Sequence, residues 1–117
     1  MIEDLGIGID IVEVLRFKRK KYEKNKNFYK KIFVDSETRY CLRFKNSAER
    51  FAGKFAIKEA VIKSIPEKIH FLDIEIVYTN TKPRIRLRNS LQKKYNFLVS
   101  VSHEKDFAIG IVIAEKI

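Results

Sequence analysis

The chain has no tryptophan, one cysteine, two prolines and four glycines among 117 residues. A single cysteine, Cys41, excludes an intramolecular disulfide and a cysteine-based zinc centre. Lying near aromatic residues, it reads as a small packed side chain. The scarcity of proline and glycine excludes collagen-like and low-complexity architectures, and no linker or internal repeat interrupts the chain. No apolar run reaches the ~18 residues that a transmembrane helix needs. The first ten residues, MIEDLGIGID, carry acids and no base, which does not fit a signal or transit peptide, so a cytoplasmic protein is the expectation. Acids are the minority overall. Fifteen Asp and Glu stand against 25 Lys and Arg, a net charge of +10, which points to an anionic partner: nucleic acid, membrane surface, phosphorylated ligand or acidic protein.

What is present suffices for one domain. Hydrophobic residues make up 45% and aromatics 12%, enough for a packed core at this length. The charge is uneven. Residues 1–15 hold four acids (Glu3, Asp4, Asp10, Glu13) and no base, whereas residues 16–31 hold nine bases and one acid. The second segment reads either as a solvated helical face or as a docking surface for an acidic partner.

Residues 4–12 alternate with period two. Leu5, Ile7, Ile9 and Ile11 share one face, and Gly6, Gly8, Asp10 and Val12 the other, which predicts a strand. Residues 13–24 predict a basic amphipathic helix, 27–33 a short helical turn, and Asp35 or Ser36 with Glu37 a further helix start. Ser47 opens the longest helical pattern, which ends before Pro66. The second half predicts strands: 72–78, then a turn at 79–83, then a strand around Ile85 and Leu87 with Pro83 at its edge or start. A short helix capped by Asn89 follows, then a hairpin of 97–102 and 107–114 joined by His103–Asp106. The last strand, FAIGIVIA, is apolar on both faces, which implies full burial or a subunit interface. The order predicts a single α+β domain over 1–117 with mostly antiparallel strands.

Two acids do not fit these patterns. At about 100° per residue, Ala48, Phe51, Ala52, Phe55 and Ile62 form one apolar stripe of the long helix, and Glu59 falls at its centre. A carboxylate there needs a compensating partner. Either Lys63, one turn on, pairs with it, or it is aimed into a site. Gly53, in mid-helix, is either a packing residue or a point of close approach. Asp10 is the second misfit, at the end of an apolar strand, where it is either a helix N-cap or a ligand. Two carboxylates from separate segments can share a Mg²⁺ ion and suit phosphate chemistry better than zinc hydrolysis. His103 closes VSVSH beside Lys105, where it is either structural or a phosphate contact.

These segments, in their order, carry a resemblance. GIGIDIVEVLRF at 6–17, RFAGKFAIKEAVIKSI at 50–65, DIEI at 73–76, TKP at 81–83 and VSVSH at 99–103 resemble holo-acyl-carrier-protein synthases, which are small phosphopantetheinyl transferases. The resemblance implies transfer of phosphopantetheine from coenzyme A to a serine of an acidic apo acyl carrier protein, for fatty acid biosynthesis. It implies Mg²⁺ dependence and a homotrimer with active sites between subunits. Asp10 and Glu59 would be the metal ligands, and Glu59 and Lys63 the catalytic residues. Lys54, Lys63, Lys82, Pro83 and His103 would meet coenzyme A, the last from the neighbouring subunit. Arg16, Arg19 and Lys20 would dock the carrier. The general base stays open between Glu59 acting through a water and a metal-bound hydroxide. The chain departs from the family pattern at Lys54 (commonly Arg), Thr81 (Gly) and Pro66 (Gly). The rival reading, a small nucleic-acid-binding module, rests on the net charge and on Phe17, Tyr22, Phe28 and Tyr29 among the bases. It lacks any recognised RRM, KH or zinc-finger pattern and leaves the two carboxylates unexplained. A structural subunit without activity is a third, weaker reading.

Overall fold

The computed structural model describes residues 3–117. Strand β1 (Leu5–Glu13) leads into helices α1 (Leu15–Arg19), α2 (Lys26–Lys30), α3 (Asp35–Leu42) and α4 (Ser47–Ser64), and then into strands β2 (Ile74–Thr79), β3 (Lys82–Leu87), β4 (Tyr95–Glu104) and β5 (Phe107–Lys116). One antiparallel sheet has the order β1-β5-β4, and β2 and β3 pair as a separate hairpin. The α+β expectation and the hairpin of β4 and β5 match this arrangement. No helix among the described residues is long and apolar enough to cross a membrane.

The expected 13–24 helix is a shorter structure. It stops at Arg19, Lys21 is extended, and a 3₁₀ turn covers Tyr22–Lys24. In a continued helix Lys18 and Lys21 would be like-charged neighbours one turn apart, which disfavours continuation. The Tyr29 hydroxyl meanwhile donates to the Lys20 carbonyl at 2.5 Å and so satisfies the freed helix end. Helix α3 starts at Asp35, but its capping oxygen belongs to Glu37, which accepts from the Val34 N–H at 2.9 Å. Ser36 is engaged elsewhere: its hydroxyl donates to Glu75 at 2.6 Å. The segment after Asn89 is a single 3₁₀ turn, with Asn89 accepting from the Leu91 N–H as a cap.

Helix α4 is the organising element. Every residue from Phe51 to Lys58 is buried, so the helix has no single apolar stripe. An aromatic cluster of Phe17, Tyr29, Phe33, Phe51 and Phe55 packs around its N-terminal half. Ile57, Val61, Ile74, Ile76, Leu87 and Val112 surround its C-terminal half. Against the sheet, α4 approaches with no side-chain layer between. A Cβ at Gly8 would lie 1.8 Å from the Ala60 carbonyl oxygen, and one at Gly6 1.8 Å from that of Ser64. On β5, a Cβ at Gly110 would meet the Ala56–Ile57 backbone at 2.9 Å.

This contact decides which face of β1 is inside. The small and acidic face (Gly6, Gly8, Asp10, Val12) packs on α4, and the isoleucine face points outward. Ile7, Ile9 and Ile11 are 65%, 57% and 60% exposed. Ile7, Ile9 and Ile11 lie opposite Ile113, Ile111 and Ile109 of β5, and exposed Leu98 of β4 lies opposite Ile113. Across β1 and β5 the outer face is therefore a continuous apolar patch, which Leu98 extends onto β4, where Ser100 and Ser102 end it.

Candidate active site

The close glycine contacts bring the inner face of β1 onto one flank of α4. Asp10 is the next inward residue after Gly8, and Gly8 touches Ala60, so Asp10 comes to the flank that carries Glu59 and Lys63. The Lys63 ammonium lies 3.1 Å from Asp10 Oδ1 and donates to the Ile9 carbonyl at 3.0 Å. Three ion pairs occur among the described residues, and a Glu59–Lys63 pair is not one of them. The pairing alternative for Glu59 is thus replaced by a cross-link from Lys63 to β1. Burial, and secondly the Asp10 carboxylate, push the Glu59 carboxyl above its ordinary range, while Lys63 and Arg16 pull it back. Two acids, one lysine and one arginine therefore share a single electrostatic environment.

Arg16 links this environment to a groove. Its guanidinium lies over the Phe55 ring at 5.4 Å. With Arg19 and Lys20 it rims a depression of about 460 Å³ whose other walls are Ile11, Glu13, Leu15 and Phe107. Apolar walls with three cations against one acid suit an amphipathic acidic surface.

His103 lies on the other flank. It sits on the inner face of β4 in register with Ala108, whereas Asp10 is in register with Gly110 on the far side of β5. Its Nε2 lies 3.3 Å from the Glu49 carbonyl oxygen. A Cβ at Gly53 would meet that same nitrogen at 2.9 Å, so the mid-helix glycine makes room for the imidazole. Lys82 and Pro83 open β3 opposite Thr79 and Tyr78, on the side of α4 that faces away from β1. Within one subunit, then, Asp10, Glu59, Lys63 and Arg16 come together, and His103, Lys82 and Pro83 do not join them.

Lys54 departs from the sequence expectation of a phosphate contact. It is 2% exposed, its ammonium donates to the Ile76 carbonyl at 2.6 Å, and it lies over the Tyr40 and Tyr78 rings at 4.6 and 5.3 Å. Here it fastens β2 to α4. Burial pulls its pKa down.

The sequence reading passed over Lys58 and gave Glu37 only a part in a helix start. Their side chains are fully buried, with Nζ and Oε1 at 2.6 Å. Lys58 also donates to the carbonyls of Ile32 (2.8 Å) and Phe71 (3.0 Å), and Glu37 accepts from the Ile76 N–H at 2.7 Å. Burial lowers the Lys58 pKa against the pull of Glu37. All three ammonium protons are used, so this network fixes α4 against α3 and β2, with Glu59 about 100° further round the helix.

The donor set limits the metal chemistry. No cluster of three or more His, Cys, Asp or Glu able to hold a metal occurs among the described residues. Two carboxylates fit a hard cation that keeps water and substrate phosphates as its remaining ligands, as Mg²⁺ does, and do not fit structural zinc.

Comparison with known proteins agrees with this arrangement. The model of the 4'-phosphopantetheinyl transferase superfamily matches residues 6–112. A holo-[acyl-carrier-protein] synthase from Geobacter metallireducens is 33% identical over 123 aligned positions, covering 96% of this chain and 98% of the relative. One from Mycoplasma mycoides is 40% identical over 112, covering 94% of each. Among solved structures, the holo-(acyl-carrier-protein) synthase of Bacillus anthracis, in complex with CoA (3',5'-ADP), aligns with a TM-score of 0.81 at 30% identity over 96% of both chains. The Helicobacter pylori enzyme, in complex with coenzyme A, aligns with a TM-score of 0.77 at 33% identity, covering 93% of this chain and 99% of that one. A Gly-x-Gly-x-Asp strand laid on a Lys-Glu-Ala helix is thus part of a fold shared along nearly the whole length, and the chain belongs to the holo-acyl-carrier-protein synthases of the 4'-phosphopantetheinyl transferase superfamily.

Proposed function

We propose that Asp10, Glu59 and Lys63 are the subunit's own contribution to a site that transfers phosphopantetheine from coenzyme A to a serine of an apo acyl carrier protein. The observation that carries this reading is the meeting of both misfit carboxylates with Lys63 on one flank of α4, against β1. Asp10 and Glu59 would hold Mg²⁺, which when bound supplies charge neutralisation for the coenzyme A pyrophosphate. Lys63 meets the phosphate that leaves and stabilises its growing charge. The carrier serine supplies the nucleophile, so the chain needs none of its own. The product is holo carrier protein, with adenosine 3',5'-bisphosphate released, a step of fatty acid biosynthesis in the cytoplasm. Family membership decides against the nucleic-acid-binding alternative.

The same reading gives the outlying residues a place. His103, Lys82 and Pro83 would approach coenzyme A from a neighbouring subunit, since α4 separates His103 from the carboxylates within one chain. The exposed isoleucine face of β1 and β5 supports association between subunits, and the homotrimer is what the family resemblance implies. Arg16, Arg19 and Lys20, around the groove beside Glu59, would receive the acidic carrier.

The test is incubation with apo carrier protein, coenzyme A and Mg²⁺, read by mass spectrometry for phosphopantetheine addition. Glu59→Gln is expected to lower transfer by about 10²–10³-fold, the scale of one lost transition-state charge contact, with the circular dichroism spectrum unchanged. Wild-type turnover in that variant would sink the assignment of Glu59.

A further inference from the structure

We infer that Lys63 holds the place of the metal: without a divalent ion its ammonium sits on Asp10, and metal entry releases it toward the coenzyme A phosphates. The inference rests on the reading of Asp10 and Glu59 as metal ligands and concerns how that site is regulated.

Two observations carry it. First, Lys63 does not take the partner its helix offers. Glu59 lies one turn earlier, in the favourable i,i+4 orientation, yet the ammonium crosses to β1 and bonds Asp10 Oδ1 at 3.1 Å and the Ile9 carbonyl at 3.0 Å. It therefore occupies one of the two carboxylates that a cation would need. Second, the other lysines on this part of α4 are committed. Lys54 and Lys58 are buried and their ammonium groups are bonded to backbone carbonyls and Glu37, so Lys63 is the helix's movable lysine. Its side chain is 51% exposed against 17% for Asp10, so the stem swings in water while the carboxylate stays fixed.

An ammonium and a divalent ion on the same carboxylate repel each other. Metal binding must therefore either be weakened by Lys63 or displace it. Displacement costs little, because the pair is half exposed and held by one ion pair and one carbonyl. The released side chain carries a positive charge beside the loaded site, where a pyrophosphate would lie. By reciprocity, an anion that draws Lys63 away tightens the metal, and the metal tightens the anion by the same factor.

The experiment uses the purified protein without coenzyme A and Mn²⁺ as the probe, with free Mn²⁺ followed by electron paramagnetic resonance. Lys63→Ala and Lys63→Met are expected to bind Mn²⁺ about three- to tenfold more tightly than wild type, the scale of one exposed ion pair plus the removed repulsion. In parallel, the Lys63 Nζ signal in a nitrogen-15 spectrum is expected to move toward that of the free surface lysines when Mg²⁺ alone is added, and to be there already in Asp10→Asn. Unchanged or weaker Mn²⁺ binding in both Lys63 variants, or a Lys63 signal indifferent to Mg²⁺, overturns the inference. Asp10→Asn and Glu59→Gln separate the two levels. If they abolish Mn²⁺ binding while the Lys63 variants do not strengthen it, the metal reading stands and the place-holding role fails. If they leave Mn²⁺ binding intact, the metal reading fails and the inference falls with it.

Discussion

Thr81 sits in the two-residue turn between β2 and β3 with φ 71°, after Asn80 at φ 50°. A turn with both central residues in the left-handed region favours Asn-Gly, and a β-branched residue there is strained. The sequence signalled the departure as a Thr in the place of Gly, and the structure keeps the turn and accepts the strain. Thr81→Gly is therefore expected to raise stability by about 1 kcal/mol in urea unfolding, despite the flexibility that glycine adds. Gly8 is the opposite case. Its Cβ would penetrate the Ala60 carbonyl oxygen, which is helix backbone and does not give way. Gly8→Ala is expected to cost at least about 3 kcal/mol by the same measurement. The charged residues divide in the same way between legible and hidden. Asp10 and Glu59 stood out because a carboxylate breaks an apolar pattern. Lys54 and Lys58 did not, because a helical wheel assigns lysine to solvent, and α4 is buried all round in its middle.

Elements are held by a few polar fasteners rather than by apolar matching alone. The Glu37–Lys58 network joins α3, α4 and β2. Removing one partner strands the other charge, so Glu37→Ala or Lys58→Met is expected to cost about 3–5 kcal/mol in chemical unfolding. The segment after α4, which bears Pro66, is fastened by the Tyr95 hydroxyl, which donates to Glu67 at 2.5 Å. That hydroxyl lowers the Glu67 pKa, and Glu67 pushes Tyr95 up to about 12. The two linkages have opposite signs. The Glu67 contribution is present above its ordinary 4.5 and is lost as pH falls through the lowered folded value. The Tyr95 contribution is present below 10.0 and is lost as pH rises through about 12. The stability gap between wild type and Tyr95→Phe is thus expected to be flat near neutrality and to close at both extremes, as measured by urea unfolding across pH. None of these fasteners was legible, since Glu67 and Tyr95 lie 28 residues apart and nothing local marks them as partners.

At the scale of the molecule, the order of elements was readable from periodicity, but the direction each face points was not. An alternating strand says that its two faces differ; what lies against each depends on α4, whose contacts with Gly6 and Gly8 come from more than fifty residues along the chain. The outward isoleucines predict assembly. Ile9→Lys or Ile111→Glu is expected to convert an oligomer to smaller species by light scattering, and an unchanged mass would remove the sheet face from the interface. Three of the bases in the 16–31 segment, Arg16, Arg19 and Lys20, rim one groove. Arg16→Glu is expected to raise KM for the acidic carrier about tenfold and to leave KM for coenzyme A nearly unchanged.

β1 carries two interleaved sets of residues on nine positions. Even-numbered residues set the closeness of helix and sheet and present Asp10, while odd-numbered residues form the outer apolar patch. Because side chains alternate strictly, a one-residue insertion or deletion within β1 exchanges the sets wholesale. Isoleucines would then press into the helix backbone while glycine and aspartate faced outward. The strand therefore has no tolerated slippage: substitutions at odd and even positions vary independently, but its length within the sheet cannot drift by a single residue without losing the site and the patch together.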